Sequence, residues 1–269
     1  MHVPTAHGQY PPVMDAFLVA ACAVLGLAVG SFLNVVIWRV PRQESVVSPR
    51  SRCTRCGTEL GARDNVPILS WLILRGRCRT CGASISSRYP LVEALTAVLF
   101  ALVAVRFGWD AALPAFLVLV AGLVALSGID LDHHRLPNVV LYPVLSMVGG
   151  LLVVATLATG HWANLGRAAT GGAIGFGLLL AIHLVAPTGM GFGDVRLAGV
   201  IGVALGWMGV RYVLLGLFLS FLLSAVVGVG LIATGVRSRK DRIPFGPFLA
   251  AGAVVATLAG SPLLRWYGV

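Results

Sequence analysis

Eight long apolar runs divide this chain and limit what it can fold into. The first, residues 17–38, is long enough to cross a hydrocarbon core, which takes about 20 helical residues. Seven more follow, at roughly 91–105, 111–129, 139–158, 168–186, 195–207, 212–236 and 244–264. Since 58% of the residues are apolar and 11% are charged, against about 25% charged in soluble domains, a soluble globule could not bury this surface. The sequence predicts an all-α polytopic membrane protein with about eight transmembrane helices. A secreted disulfide-rich module, a disordered chain and an ordinary cytosolic enzyme are excluded.

The positions of Lys and Arg predict the topology. Residues 39–88 contain ten arginines, so the positive-inside rule places this segment in the cytoplasm. Alternating spans put three further connections on the same side: 130–138, 187–194 and 237–243. Of the 20 basic residues, 16 lie within 39–88 or at or beside these three connections. The other four lie outside: Arg106, Arg167, Arg211 and Arg265. Residues 1–16 have no Lys or Arg, which indicates an uncleaved first helix with its N-terminus outside.

These spans predict three parts: residues 1–38 with the first transmembrane helix, a cytoplasmic insertion at 39–88, and a seven-helix membrane domain at 89–269. The weakest span, 195–207, is short and glycine-rich, so we expect it to be tilted, interrupted or buried by its neighbours.

The insertion carries two Cys-x-x-Cys pairs separated by 21 residues: Cys53, Cys56, Cys78 and Cys81. This spacing is typical of a zinc ribbon, in which four thiolates close a structural Zn²⁺ site and a glycine after each pair, here Gly57 and Gly82, permits a tight turn. The alternatives are two disulfides, which a reducing cytoplasm disfavours, or four idle thiols. Cys22, in the first span, is expected to pack as an apolar residue. The surrounding arginines are expected to act as topology signals or to contact anionic lipid head groups, and nucleic acid is not an expected partner.

Two carboxylates stand at the predicted cytoplasmic edge, Asp130 at the end of the third span and Asp194 before the sixth. Two carboxylates that share a site hold one proton between them, and this arrangement activates water in aspartic proteolysis. Gly191 and Gly193, just before Asp194, would let the backbone approach an extended substrate or form a mobile loop. The alternative is that each aspartate is a helix cap or an interfacial charge.

Other polar residues in or beside the spans are weaker candidates for a catalytic role. Glu93 would meet a charged substrate terminus, or form a hydrogen bond to a neighbouring helix as a protonated acid. Asn34 is expected to make an interhelical hydrogen bond. For Asp132 we expect a helper or interfacial role, and for His133 and His134 interfacial solvation.

Six motifs in order resemble those of the type IV prepilin peptidases, membrane aspartic proteases of the GxGD kind. They are GSFLNVVIWRVP at 30–41, DNVPILSW at 64–71 between the cysteine pairs, RYPLVE at 88–93, Asp130 with PN at 137–138, GFGD at 191–194 and PFGPF at 244–248. The resemblance covers nearly the whole chain.

The resemblance implies an inner-membrane enzyme with two activities. Such enzymes cut the basic leader from prepilins or pseudopilins on the cytoplasmic side, at a Gly-Phe junction, and then N-methylate the new terminus with S-adenosylmethionine. By motif, Asp130 and Asp194 are the protease pair, and the methylation site is a further possible contact of Glu93. The sequence has no G-x-G-x-x-G motif after a strand, so the S-adenosylmethionine site rests on the resemblance alone.

Two readings from other classes compete. A transporter or channel would use the carboxylates as a proton relay, with charges near the bilayer midplane instead of the edge. A scaffold would hold partners through the zinc ribbon without catalysis.

Overall fold

A computed structural model describes residues 11–187, 190–236, 238 and 243–266. Residues 1–10, Gly189 of the glycine-rich loop and the basic residues at 237, 239, 240 and 242, which entered the topology prediction, lie outside the described residues. Among the described residues, contacts cluster into two compact units, 11–109 and 110–266.

All regular elements in these ranges are helices. The first unit contains α1 (Pro12–Arg39), α2 (Leu69–Ile73) and α3 (Arg88–Phe107). The second contains α4 (Leu113–His133), α5 (Asn138–Thr159), α6 (Trp162–Val185), α7 (Phe192–Met208), α8 (Val210–Ala233) and α9 (Gly246–Trp266). The predicted all-α class is confirmed.

Seven helices in the described part are long and apolar enough to cross a membrane, namely α1, α3, α4, α5, α6, α8 and α9. The chain is therefore a multi-pass membrane protein. The predicted span at 195–207 corresponds to α7, which has only 17 residues and is mostly buried. Its burial matches the expectation that this span is covered by its neighbours.

In the first unit, α1 packs on α3 through small residues. A methyl group on Gly26 would lie 2.7 Å from the Cα of Ala97, and one on Gly30 would lie 2.7 Å from the Cα of Glu93. The glycines thus let the two backbones approach, as in membrane helix pairs with a small-xxx-small pattern. Nearer the end of α1, the Asn34 amide donates a hydrogen bond of 3.1 Å to the Tyr89 carbonyl, so Asn34 makes the expected interhelical contact. Cys22 is buried, as predicted.

In the second unit, α7 lies against α6 along a glycine-rich face. Gly171 and Gly175 of α6 oppose Gly202, Gly206 and Ala198 of α7 so closely that a methyl group on any of these glycines would meet the partner backbone. Because α7 is enclosed, its first turn is held firmly, and this turn carries Asp194.

The helices extend beyond the apolar runs at several ends. α4 continues to His133, three residues beyond Asp130, which lies in the last turn of the helix. α7 begins at Phe192, so Asp194 lies in its first turn and not before it. α6 begins at Trp162 with a polar turn in which the Arg167 side chain donates to Asn164. Hydropathy alone cannot detect such ends, because polar residues there are helical but not apolar.

Candidate active site and metal centre

Asp130 lies in the last turn of α4 with 5% of its surface exposed. Its Oδ2 accepts a hydrogen bond of 3.0 Å from the backbone N–H of Gly246, the first residue of α9. The N-terminal amides of a helix lack partners within the helix and carry partial positive charge. The carboxylate therefore caps α9 and is fixed in orientation by it.

Gly246 reaches Asp130 because it has no side chain. A Cβ there would lie 2.7 Å from Oδ2 of Asp130 and 3.2 Å from its Cγ, closer than real contacts. The PFGPF motif at 244–248 thus contributes a backbone amide to the first aspartate.

Asp194 is the third residue of α7 and 8% exposed. Its Oδ2 accepts a hydrogen bond of 3.1 Å from the N–H of Gly191, which precedes the helix in an extended conformation. This is half of a capping box, in which the side chain in the first turn reaches back to the N-cap amide. Gly191 therefore supports the second aspartate directly.

Leu136 brings the motif segments together. A methyl group on Gly193 would lie 3.0 Å from the Cβ of Leu136, and one on Gly246 would lie 3.3 Å from its Cδ2. Leu136 thus touches the first residues of both α7 and α9. The two carboxylates are close enough for Asp130 to act electrostatically on Asp194. The structure brings together both aspartates and both predicted glycines, and it shows capping at each aspartate, as the alternative interpretation expected.

The segment before Asp194 is anchored by His183, which the sequence did not single out, and by Arg196 of α7. Nδ1 of His183 lies 2.9 Å from the Met190 carbonyl, and the His183 ring packs on Phe192 with centroids 5.6 Å apart. On the other side, the Arg196 guanidinium lies 4.6 Å from the Phe192 ring and donates a hydrogen bond of 2.7 Å to Asn138. A lone histidine in the last turn of α6 gives no signal of this role.

Three polar residues that follow Asp130 in the sequence lie at the surface. Asp132, His133 and His134 are all exposed, and His134 ends α4 in a left-handed conformation with φ of 51°. Exposure agrees with the interfacial solvation expected for the histidines.

Glu93 belongs to the other unit. It is 7% exposed on α3, and its Oε2 accepts a hydrogen bond of 2.7 Å from the N–H of Ile68 in the insertion. The Ser31 side chain also forms a hydrogen bond with the Glu93 carboxylate. Glu93 thus joins the insertion to the helix pair. The Ser31 contact agrees with the expected hydrogen bond to a neighbouring helix, whereas the Ile68 partner was not anticipated.

The two cysteine pairs form matching turns. The Cys53 amide donates a hydrogen bond to the Thr58 carbonyl, and the Gly57 amide donates one to the Cys53 carbonyl. Each bond is 2.9 Å long. The second pair repeats this pattern at Cys78 and Gly82. Gly57 and Gly82 have φ of 74° and 69°, the left-handed region where glycine is favoured, as predicted for the turns.

The four thiols converge on one point, with all Sγ atoms within 4.8 Å of one another. Bonds of about 2.3 Å in a zinc tetrahedron separate the sulfurs by about 3.8 Å, and the Sγ atoms of Cys53 and Cys81 are 3.8 Å apart. The Thr58 hydroxyl, 3.3 Å from Sγ of Cys56, lowers the pKa of that thiol to about 6 and so favours the thiolate that a metal requires. The donor set and its spacing fit Zn²⁺.

Comparison with known proteins relates both units to one family. Residues 24–107 match the family model described as the bacterial peptidase A24 N-terminal domain, and residues 117–231, which include both aspartates, match that of the type IV leader peptidase family. No solved structure matches.

Curated relatives extend over most of the chain. A protein of Aeromonas salmonicida is 39% identical, with 91% of each chain covered. One of Pseudomonas aeruginosa is 36% identical, again with 91% of each covered. One of Bacillus subtilis is 33% identical over 91% of this chain and 95% of its own. Each carries the name prepilin leader peptidase/N-methyltransferase. The chain therefore belongs to the type IV leader peptidase family.

Proposed function

We propose that this chain removes the leader of type IV prepilins or pseudopilins with Asp130 and Asp194 as the catalytic pair, and then N-methylates the new N-terminus. The observation that carries the proposal is the pair of buried, electrostatically interacting carboxylates, each oriented by a backbone amide at a helix start. The names of the relatives support the two activities.

The chemistry follows from one proton shared by two carboxylates. The ionised member takes a proton from water as the water attacks the scissile carbonyl, and the protonated member gives its proton to the carbonyl oxygen. The newly protonated member then gives its proton to the leaving nitrogen as the C–N bond breaks. The other member takes a proton from a hydroxyl of the tetrahedral intermediate as the carbonyl re-forms, so the pair again holds one proton. The amides of Gly191 and Gly246 hold the carboxylates for this sequence.

The substrate is an apolar pilin helix that docks laterally among the spans, with its basic leader drawn to an anionic membrane surface. Cleavage falls at a Gly-Phe junction on the cytoplasmic face of the inner membrane. The high density of arginines in 39–88 supports this sidedness for the insertion. Asp130 and Asp194 are predicted to lie at this same cytoplasmic edge of the membrane, so we infer the same side for the catalytic pair.

S-adenosylmethionine is the methyl donor that the names of the relatives imply. No strand–turn–helix cradle of the dinucleotide type exists among the described residues.

Zinc takes a structural role in this proposal. Four thiolates from Cys53, Cys56, Cys78 and Cys81 fill a tetrahedral shell and leave no position for water, as in closed structural sites. The insertion at 39–88 then acts as a rigid module between the first span, within 1–38, and the membrane domain at 89–269.

The test is cleavage of a prepilin peptide across its Gly-Phe junction by purified, lipid-reconstituted protein, read by mass spectrometry with and without S-adenosylmethionine. Asp130→Asn and Asp194→Asn keep a hydrogen-bond acceptor but remove the ionisable group, so each should lower cleavage by at least about 10³-fold. Asp132→Asn is the matched control, because it makes the same change two residues from Asp130 at an exposed site.

A product cut at Gly-Phe and heavier by one methyl group with the cofactor supports both activities. Cleavage that survives in either Asn variant would refute the pair. A folded, zinc-loaded protein that cuts none of its own genome's prepilins would favour the transporter or scaffold.

A further inference from the structure

The short helix α2 in the insertion presents an apolar face to its surroundings. Leu69, Leu72 and Ile73 are 58%, 56% and 75% exposed, and Val66 just before the helix is also exposed. Three large aliphatic side chains exposed within five residues form a patch that water would disfavour. Trp71 of the same helix points the other way, since its ring packs on Gly76 and its Nε1 donates 3.1 Å to the Ile85 carbonyl.

The depth of α2 follows from its attachment to Glu93. This residue lies five positions inside α3, so its Cα is about 7.5 Å further along the helix than that of Arg88, at a rise of 1.5 Å per residue. The helix α3 is long and apolar enough to cross a membrane and begins at Arg88, so a bilayer whose surface lies at that arginine would enclose Glu93. The Ile68 amide, bonded to Glu93 directly before α2, is drawn to the same region.

The Glu93 carboxylate does not simply extend outward to reach the insertion. It also bonds to Ser31 on α1, next to Gly30, whose backbone faces the Cα of Glu93. The insertion therefore reaches the Glu93 carboxylate at the level where α1 and α3 touch. Ile68 accommodates this in a tight turn with φ of 59°, closed by a hydrogen bond of 2.5 Å from the Leu69 amide to the Pro67 carbonyl.

Charge on the insertion matches an anionic surface. Residues 39–88 contain ten arginines and three acidic residues. Arg75 and Arg77 follow α2 directly and are exposed. Other arginines serve the fold instead: Arg79 pairs with Asp64 at 2.7 Å, and buried Arg39 donates to the carbonyl of Ser45. Cations beside an apolar helical face are typical of segments that lie in a membrane interface.

We propose that α2 is an interfacial helix, with Leu69, Leu72 and Ile73 inserted into the acyl boundary of an anionic bilayer and Arg75 and Arg77 at the head groups. Glu93 is the anchor that sets its depth. The zinc module is thereby held against the membrane by lipid as well as by the chain. This inference is independent of the proposed catalytic roles.

The test measures depth in the full-length protein in vesicles of phosphatidylethanolamine and phosphatidylglycerol. Leu72, Ile73 or Arg55 is replaced in turn by a ketone-bearing amino acid, and a nitroxide spin label is attached to the ketone. Because the label does not react with thiols, the native cysteines remain available for zinc. Collision rates are measured with oxygen, which partitions into the bilayer, and with a water-soluble nickel chelate. We expect the oxygen-to-nickel ratio to be several-fold higher at Leu72 and Ile73 than at Arg55, an exposed site in the first cysteine turn.

Equal ratios at the three sites would overturn the proposal, as would exclusion of both reagents at Leu72, which would show a protein cover such as a second copy. Glu93→Gln keeps a carbonyl acceptor for the Ile68 amide, whereas Glu93→Leu removes it. The ratio at Ile73 should persist in the first variant and fall toward that at Arg55 in the second. An unchanged ratio in Glu93→Leu would contradict the anchoring role.

Discussion

Replacement of Gly246 by alanine tests how Asp130 is held. The new Cβ would lie 2.7 Å from Oδ2 of Asp130, whereas ordinary contacts begin at 3.4 Å. The carboxylate must therefore move by about 0.7 Å, which strains or breaks its 3.0 Å hydrogen bond from the residue 246 amide. A hydrogen bond to a charged group contributes about 1.5–3 kcal/mol. Since each 1.4 kcal/mol corresponds to a factor of ten, kcat should fall by about 10- to 100-fold.

The assay is steady-state cleavage of a prepilin peptide in lipid nanodiscs, with KM determined separately. We expect the loss in kcat and little change in KM, because in the proposed mechanism the displaced carboxylate acts on the scissile bond and does not contact the docked helix. Gly166→Ala is the matched control, since that glycine lies near the start of α6 with no atom within 4 Å of the added methyl. It should keep wild-type kcat. A Gly246→Ala enzyme with wild-type kcat would refute the claim that the bare backbone amide positions Asp130.

Three further outcomes are expected. Metal analysis by mass spectrometry should find one zinc per chain in the wild type and none in Cys78→Ser. Proteolysis of the insertion should be faster in Cys78→Ser than in the wild type. A wild-type protein stripped of zinc that resists proteolysis as well as the zinc-loaded protein would contradict a structural metal. Gly193→Ala should lower kcat only a few-fold, less than Gly246→Ala, because its methyl meets the Cβ of Leu136 at 3.0 Å and not a carboxylate; a larger loss would argue against this packing. Gly30→Leu should lower the thermal midpoint of the detergent-solubilised protein by several degrees, since its side chain would strike the α3 backbone, and an unchanged midpoint would contradict the α1–α3 contact.

Local patterns made much of this structure predictable. Apolar length identified the spans because a bilayer demands about 20 helical residues whatever the packing. The Cys-x-x-Cys spacing and the following glycines foretold the convergent thiols, since both act within a few residues. The same holds for Asp194, whose cap on Gly191 is three residues away.

Long-range contacts were not predictable. Asp130 and Gly246 are 116 residues apart, and Ile68 and Glu93 are 25 apart, so no periodicity links their partners. The sequence placed Asp130 at a helix end, but only the packed structure shows which helix start it caps. His183 and Leu136 were missed for the same reason, because their roles come from neighbours that the fold brings to them.

We propose that Asp130 and Asp194 act as one unit, and a comparison of single and double variants tests this coupling. Cleavage rates are measured for Asp130→Asn, Asp194→Asn and the double variant, all shown to be inserted and zinc-loaded. The proton transfers need both carboxyl groups, so the loss of either one stops the reaction. Each single variant should therefore lose as much activity as the double variant, at least about 10³-fold. A double variant whose loss is the product of two modest single losses would show two independent groups and contradict the catalytic pair.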